Sequence, residues 1–279
     1  MALMRRRLLL ALIPTLAAGV AARADQKPSA ESIVARHLEA LGAADLRAAQ
    51  ALRVVQGPCR FEIRRGGGGS LDGKARVSSE GRRYRVELGF SSSEYYGESL
   101  AYDGRKVEVG FMQPGRRSPL GEFLATYDVL LKEGLVSGVL SSAWPLLDLA
   151  ERRPKLKYDG LKKVDEQTLH RISYKAARGQ GDVEVLLFFE PESFRHVRSE
   201  YRLGLRPGMS SAIDRSASQQ DIRFEIDETF ADFQTVAGLT LPKRWSVILN
   251  MDGPSTNALW RWDSVVERVS TAGAAPPGP

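Results

Sequence analysis

The sequence of 279 residues contains very little cysteine and histidine. Cys59 is its only cysteine, and the three histidines, His37, His170 and His196, are far apart. One thiol cannot form an intrachain disulfide, so the fold must depend on its hydrophobic core. The histidines do not have metal-ligand spacing, and no Gly-x-Ser-x-Gly, Cys-x-x-Cys or paired-histidine motif occurs. We therefore predict no catalytic residue, no metal and no cofactor.

Acidic residues are missing from the first 24 positions, which contain four arginines. The rest of the chain has 36 Lys and Arg against 34 Asp and Glu, a net charge of +2 compared with +6 for the whole sequence. A nearly neutral domain has no electrostatic reason to bind nucleic acid, and we predict no nucleic-acid partner.

The basic N-terminus has the organisation of a signal peptide. The apolar run over residues 8–20 is short for a membrane span and is interrupted by Pro14. Ala22-Arg23-Ala24 is a small-x-small cleavage signature before Asp25. We predict that residues 1–24 are removed after Ala24 and that the protein is exported. The export route, Sec or twin-arginine, stays open, and the alternative is an N-terminal anchor that is not cleaved.

One stretch has the appearance of a nucleotide-binding loop. Residues 68–74 read G-G-S-L-D-G-K, but Ala75 replaces the Ser or Thr that would hold magnesium. The chemistry also needs a helix after the loop, and residues 76–81 have no helical period. We predict no nucleotide site and interpret residues 66–70 as the loop of a β-hairpin.

Alternation of apolar and polar residues with period two dominates the chain and indicates an antiparallel meander. It places Cys59 in the core. Turns are predicted at residues 102–105 and 190–193, and strands at 53–63, 84–90, 107–111, 169–174, 183–190, 194–203, 222–230, 245–251 and 259–269.

Helical periodicity occurs at the start and in the middle. Ser29 is a candidate N-cap of a first helix, which Gly42 ends, and a short helix is predicted over 45–52. A helix is predicted over 119–131, and a second apolar, helical stretch over 135–149. The sequence thus predicts one domain over residues 25–270, followed by a disordered tail at 271–279.

Large apolar residues on these elements are candidates for the lining of a hydrophobic cavity. Trp245 and Val247 share one sheet face, Trp260 and Trp262 share another, and strand 183–190 is apolar on both faces. A plain core would use the same residue types, so both interpretations stay open. The candidates are Tyr84, Val86, Leu88, Phe123, Leu124, Tyr127, Trp144, Trp245, Val247, Trp260 and Trp262.

The polar candidates have simpler interpretations. Asp227, Glu228 and Asp232 could form a carboxylate pair, but Asp227 falls on the polar side of a strand and is interpreted as part of a solvated face. His170 shares a strand face with Ile172 and is interpreted as a packed core histidine.

The order of the motifs resembles a known family. A helix ending in Leu41-Gly42 is followed by strand 53–63, Trp144-Pro145, and a final passage in which Phe230-Ala-Asp-Phe precedes Val236-Ala-Gly-Leu-Thr-Leu-Pro. This resembles the LolA/LolB-like superfamily of outer-membrane lipoprotein-sorting and carrier proteins over roughly residues 29–270.

The resemblance implies an incomplete, half-open β-barrel of about eleven antiparallel strands, with helices covering its concave face. It also implies a periplasmic, non-enzymatic protein that holds lipoprotein acyl chains or another hydrophobic ligand, with peripheral contact with the membrane. No arginine of this sequence can be assigned to the one that holds the lid closed in such carriers. Two alternatives stay open: an envelope regulator or scaffold that binds a protein partner, and a hydrolase with a spatially assembled site.

Overall fold

The computed structural model describes residues 28–204, 223–252 and 257–271. The predicted signal peptide and residues 272–279 of the predicted tail lie outside the described residues. The helices are α1 (Ala30–Leu41), α2 (Ala44–Ala49), α3 (Pro119–Thr126), α4 (Val129–Lys132) and α5 (Leu149–Arg152), with 3₁₀ helices at Gly138–Leu140 and Pro145–Asp148. The strands are β1 (Leu52–Arg65), β2 (Gly69–Glu80), β3 (Arg83–Phe90), β4 (Gly97–Tyr102), β5 (Val107–Val109), β6 (Lys155–Val164), β7 (Gln167–Lys175), β8 (Glu184–Phe189), β9 (His196–Gly204), β10 (Arg223–Val236), β11 (Leu239–Asp252), β12 (Asn257–Val265) and β13 (Arg268–Thr271).

All thirteen strands belong to one antiparallel sheet, which confirms the predicted mainly β fold. Their order is β5-β4-β3-β2-β1-β12-β11-β10-β9-β8-β7-β6. Strand β13 also pairs with β1, along the N-terminal part of β1 that β12 does not reach. The end strands β5 and β6 do not pair with each other in the described part of the chain, so the sheet stays open. The resemblance implied about eleven strands, and the sheet has two more.

The sheet curves around its helices. Helix α1 contacts both β6 and β11, which are five positions apart in the sheet order. In a flat sheet that separation would be about 24 Å, which is more than the length of this 12-residue helix, about 18 Å. The side of the sheet that the helices pack against is called the covered face below.

Helix α1 begins and ends where the sequence predicts. The Ser29 hydroxyl accepts a hydrogen bond from Ser32 N at 3.2 Å, and Gly42, with a φ of 147°, ends the helix. The apolar stripe that includes Ile33, Val34 and Leu41 is buried against the core.

The predicted helix 119–131 is wrong as a single element, because the chain turns at Tyr127 and forms α3 and α4 instead. Val129, Leu130 and Leu131 are consecutive and all buried, which a helix with one apolar face cannot achieve. Breaking the helix lets the short α4 enter the core.

The stretch 135–149 was predicted as helical and instead contains the two 3₁₀ helices and irregular chain. Nearly every residue over 134–146 is buried, so this segment has no polar face that could direct an amphipathic helix. Gly138 and Pro145 also disfavour a continuous α-helix. Residues 119–152, from α3 to α5, are called the cover below.

Three strands were not predicted, and one predicted strand is divided. Strands β2, β4 and β6 lack a clear alternation; β6 is an edge strand with four lysines. The predicted strand 259–269 breaks after Val265, and Glu267 N then donates to Gln56 O at 3.0 Å. A Cβ at Gly57 would lie 1.8 Å from Val265 O, so the two backbones meet there. The predicted helix 45–52 is shorter, because Leu52 already belongs to β1.

The tryptophans of β11 and β12 share one face, contrary to the prediction of separate faces. Trp262 lies directly opposite Val247, and Trp260 lies opposite Leu249. Directly opposed residues of antiparallel strands project to the same side. The covered face therefore carries all of these side chains in one core cluster.

Candidate functional site

A small gap lies between the covered face and the cover. Its volume is about 10 Å³, which is room for about one water molecule. Tyr201 and Glu228 are the polar residues of its lining; the others are Val86, Leu88, Leu100, Leu120, Leu124, Val136, Ile226, Trp245 and Val247. The cover thus closes this central gap, and an acyl chain can enter only if the cover moves.

Glu228 on β10 places a carboxyl group in this apolar centre. Its Oε1 accepts hydrogen bonds from Ser137 N at 2.8 Å and from Trp245 Nε1 at 2.9 Å. Ser137 belongs to the cover and has a φ of 70°, in the left-handed region that costs a non-glycine residue energy. Glu228 therefore ties the sheet to the cover at a strained point of its backbone.

The surroundings of Glu228 also accommodate its protonated form. Burial raises the pKa of Glu228 to about 7. Its Oε2 is 2.7 Å from the Tyr201 hydroxyl, which is also 2.9 Å from Leu135 O in the cover. A tyrosine hydroxyl has one proton to donate. When Tyr201 donates it to Leu135 O, a protonated Glu228 can donate to the Tyr201 oxygen, and every polar atom is satisfied.

Arg53 on β1 is a second link between the sheet and the cover. Its side chain is buried, and Nη1 donates to Val139 O, in the first 3₁₀ helix, at 2.6 Å. Burial lowers the pKa of Arg53 to about 10, and none of the ion pairs among the described residues involves it. Arg53 therefore reaches from the sheet to the cover, a contact that the sequence reasoning assigned to no arginine.

Glu98 on β4 forms a third link, to the start of α3. Its Oε2 accepts from the Ser118 hydroxyl at 2.8 Å, and Ser118 in turn caps α3 by accepting from Gly121 N at 2.8 Å. Burial raises the pKa of Glu98 to about 7. The N-terminal end of the cover therefore depends on one buried carboxyl group.

Arg152 holds the cover together internally. Its guanidinium donates to Glu133 O at 2.8 Å and to Ala143 O at 3.0 Å. These bonds join α5 to the chain after α4 and to the chain before the second 3₁₀ helix. The cover is thus an assembly of short helices with a few identifiable polar connections.

A larger cavity opens at the end of the covered face near the β1–β2 hairpin, and we call it the mouth. Its volume is about 480 Å³, within the range of small-molecule sites. Polar residues share its lining with aromatic and aliphatic ones; the apolar members are Phe61, Ile63, Leu71, Tyr95, Met112 and Trp260.

Trp262 connects the mouth with the central gap. It lies in register between Phe61, which lines the mouth, and Val247, which lines the gap. Its Nε1 donates to the Tyr95 hydroxyl at 2.8 Å, and Tyr95 donates to Glu98 Oε1 at 2.6 Å. A chain of hydrogen bonds therefore runs from the wall between the two spaces to the cap of α3.

The histidines near the cover have structural surroundings. His196 Nε2 is 3.0 Å from the Ser199 hydroxyl, but both residues are fully buried, and His196 Nδ1 has no hydrogen-bond partner in the described residues. A nucleophilic serine needs an accessible hydroxyl and an oriented base. His37 is likewise buried and accepts from Trp144 Nε1 at 3.3 Å. His196 and Ser199 therefore lack the geometry of a hydrolase site.

Acidic residues cluster on the opposite face of the sheet. Glu200, Glu225 and Asp227 each place a carboxylate oxygen within 4.8 Å of the others. Arg198 and Arg202 form ion pairs with all three, so these arginines already balance the charge a cation would bring. Asp227 was interpreted as part of a solvated face, which is wrong, because its side chain is mostly buried in these pairs.

The predicted cavity residues fall into three groups. Val86, Leu88, Leu124, Trp245 and Val247 line the central gap. Trp260 lines the mouth, and Trp262 stands between the two spaces. The remaining four pack in the core or at its border and line neither space: Tyr84, Phe123, Tyr127 and Trp144.

Sequence reasoning did not single out Arg53 or Glu98, and it considered Glu228 only as a member of a carboxylate pair. The sequence did carry a signal for Glu228. It lies two residues from both Ile226 and Phe230 and therefore projects to the same, apolar side of β10. Residues 69–80 form β2, so a strand and not a helix follows the glycine-rich turn, and that turn is shorter than the predicted loop 66–70.

No described helix has the length and apolar character needed to span a bilayer.

No protein-family model and no curated protein matches the chain. Its structure is similar to the crystal structure of LolA superfamily protein NE2245 from Nitrosomonas europaea, with 13% identity, coverage of 89% of this chain and 96% of that one, and a TM-score of 0.47. It is also similar to a DUF1329 family protein from Desulfovibrio piger, with 10% identity, coverage of 90% and 96%, and a TM-score of 0.44.

Proposed function

We propose that this protein is a periplasmic, non-enzymatic binding protein for the acyl chain of a lipid or lipoprotein. The ligand would lie between the covered face and the cover, in the space that the central gap occupies in the closed protein. The observation that supports this most is the construction of the cover. It packs on an apolar sheet face and is tied to that face by a few polar links, at Arg53, Glu98 and Glu228.

Such a cover can exchange one set of apolar contacts for another. Opening of the cover exposes the leucines and valines that line the central gap, and an entering acyl chain covers them again. Each buried methylene contributes about 0.8 kcal/mol, while each broken buried hydrogen bond costs about 1–3 kcal/mol. A chain of several methylenes therefore offsets the loss of the polar links, and a short chain does not.

Mass spectrometry of lipids that co-purify with protein exported to a bacterial periplasm tests this proposal. We expect a bound acyl lipid and saturable uptake of a fluorescent fatty acid by the delipidated protein. Absence of both would contradict the proposal. An empty protein that captures one defined envelope protein would instead favour the regulatory function.

A matched pair of variants separates binding from folding. Val86→Glu places a carboxyl group on the covered face at the central gap, whereas Arg85→Glu, its neighbour on β3, changes the opposite face. We expect loss of uptake in the first variant and full uptake in the second. Thermal unfolding of the same samples must accompany the assay, because an unpaired buried carboxylate costs several kcal/mol.

The proposed location has its own test. N-terminal sequencing of the exported protein should begin at Asp25, directly after the Ala22-Arg23-Ala24 signature. Recovery of residues 1–24 in a membrane fraction would contradict the proposed cleavage.

A further inference from the structure

The mouth differs from the central gap in being open while the cover is closed. Its wall is a compact aromatic group: the Phe61 ring centroid is 4.4 Å from that of Tyr95 and 5.4 Å from that of Trp260. Rings this close pack against one another and leave no space for a cation between them. The wall is therefore a surface for an apolar chain.

The glycine-rich β1–β2 turn keeps one side of the mouth free of side chains. Gly68 and Gly69 line the cavity, and a Cβ built on either would meet no heavy atom within 4 Å. The β2 residue Leu71 projects into the same space. The mouth thus has an apolar floor and an unobstructed approach along the turn.

The rim of the mouth carries one charge of each sign. Glu94 and Arg116 both line the cavity and are exposed. Among the described residues, neither side chain forms an ion pair or a hydrogen bond; only backbone atoms of the two residues are held, since Gln113 Nε2 donates to Glu94 O at 2.7 Å and Met112 N donates to Arg116 O at 2.9 Å. Two unpaired charges of opposite sign beside an apolar pocket are complementary to a headgroup that also carries both signs.

We propose that the mouth binds a single-chain amphiphile with a zwitterionic headgroup, and that it does so before the cover opens. The acyl chain would lie on Phe61, Tyr95 and Trp260. An anionic phosphate would face Arg116, and an ammonium group would face Glu94. This inference rests on the proposed function, because Trp262 lies between the mouth and the central gap, where the acyl chain would be held.

Calorimetric titration with three amphiphiles of equal chain length tests the inference: palmitoyl lysophosphatidylethanolamine, palmitate and hexadecyltrimethylammonium, all below their micelle concentrations. We expect the zwitterionic lipid to bind about fivefold tighter than either singly charged one, as two exposed charge pairs allow. Tryptophan fluorescence should change with the same affinity, since Trp260 lies on the wall.

Two charge variants make the test specific. Arg116→Gln leaves a negative rim and should shift the preference to the cationic amphiphile, and Glu94→Gln should shift it to palmitate. Leu71→Lys should abolish binding at the mouth, whereas Leu161→Lys, on the exposed edge strand β6, should not. An unchanged order of preference in both charge variants would overturn the inference.

The inference and the proposed function fail in different ways. Fatty-acid uptake without any headgroup preference would leave the proposed function standing and remove the zwitterionic site. Absence of binding for all three amphiphiles, together with absence of fatty-acid uptake, would remove both.

Discussion

Arg53 is the residue that we expect to limit movement of the cover most directly. Its guanidinium donates to Val139 O at 2.6 Å from a fully buried position. In Arg53→Met the carbonyl loses its donor, and a buried unsatisfied carbonyl costs about 1–3 kcal/mol. The closed state should lose stability relative to the open one, so the affinity for a fluorescent fatty acid should rise by about fivefold or more.

Arg60→Met is the matched control. Arg60 also lies on β1, but its side chain projects from the opposite face and pairs with Glu62 and Asp72 in solvent. We expect unchanged uptake in this variant. Faster hydrogen exchange over residues 135–148 should accompany Arg53→Met alone, and equal exchange in both variants would contradict the role of Arg53.

Cys59 should be inert in the native protein. It is buried on the covered face of β1, and burial raises the pKa of Cys59 to about 11, so little thiolate forms at neutral pH. We expect reaction with a thiol reagent only at the rate of unfolding, measured with and without denaturant. Immediate modification of the native protein would show that this part of β1 is open.

At the scale of elements, the cap of α3 joins helix stability to closure. Ser118→Ala removes both the acceptor for Gly121 N and the donor to Glu98. We expect a loss of about 0.5–2 kcal/mol in unfolding free energy, together with an increase in fatty-acid uptake, because α3 is tied less firmly to β4.

Ser29→Ala is the control at the same scale, because Ser29 caps α1 in the same way but lies outside the cover. It should cost a similar amount of stability and leave uptake unchanged. If both variants raise uptake equally, general destabilisation and not release of α3 would explain the result.

At the scale of the whole molecule, Glu98, Glu228, His37 and His196 are four of the buried groups that make stability depend on pH. Glu98 and Glu228 have a pKa of about 7 when folded against an ordinary 4.5, because of burial. The stability that they contribute is therefore present below pH 4.5 and lost as the pH rises through 7. Burial lowers the pKa of His37 to about 4 and that of His196 well below 6.5, so their contribution is lost as the pH falls below 6.5. The two effects oppose each other between pH 4.5 and 6.5.

Glu228→Gln should reveal this balance. The amide keeps the acceptor for Ser137 N and Trp245 Nε1 and can donate to Tyr201, so folding should survive. The unfolding free energy of the variant minus that of the wild type should increase by about 1.4 kcal/mol per pH unit between about pH 5 and about pH 6.5. Urea unfolding at several pH values measures this difference, and parallel curves would show that Glu228 titrates normally.

The features that depend on neighbours a few residues apart could be predicted from the sequence. Alternation predicted most of the strands and the burial of Cys59, and Ser29 and Gly42 marked the two ends of α1. In each case the controlling contact is local, such as the Ser29 cap bond to Ser32. Strands β2, β4 and β6 escaped prediction because their polar and apolar residues do not alternate clearly with a period of two.

The construction of the cover and its attachment to the sheet depend on contacts between distant parts of the chain, which the sequence pattern does not encode. Tyr127 breaks a helix that the sequence pattern continues, because the consecutive residues Val129, Leu130 and Leu131 of α4 are all buried and no local pattern encodes that environment. The links from Arg53 to Val139, from Ser137 to Glu228 and from Trp262 to Tyr95 join residues 86, 91 and 167 positions apart. A charged residue on a strand is ordinarily expected to face solvent. The alternation places Arg53 and Glu228 on the inward side of their strands, and the packing of the cover over that side buries them, so that burial and not sequence context determines their chemistry.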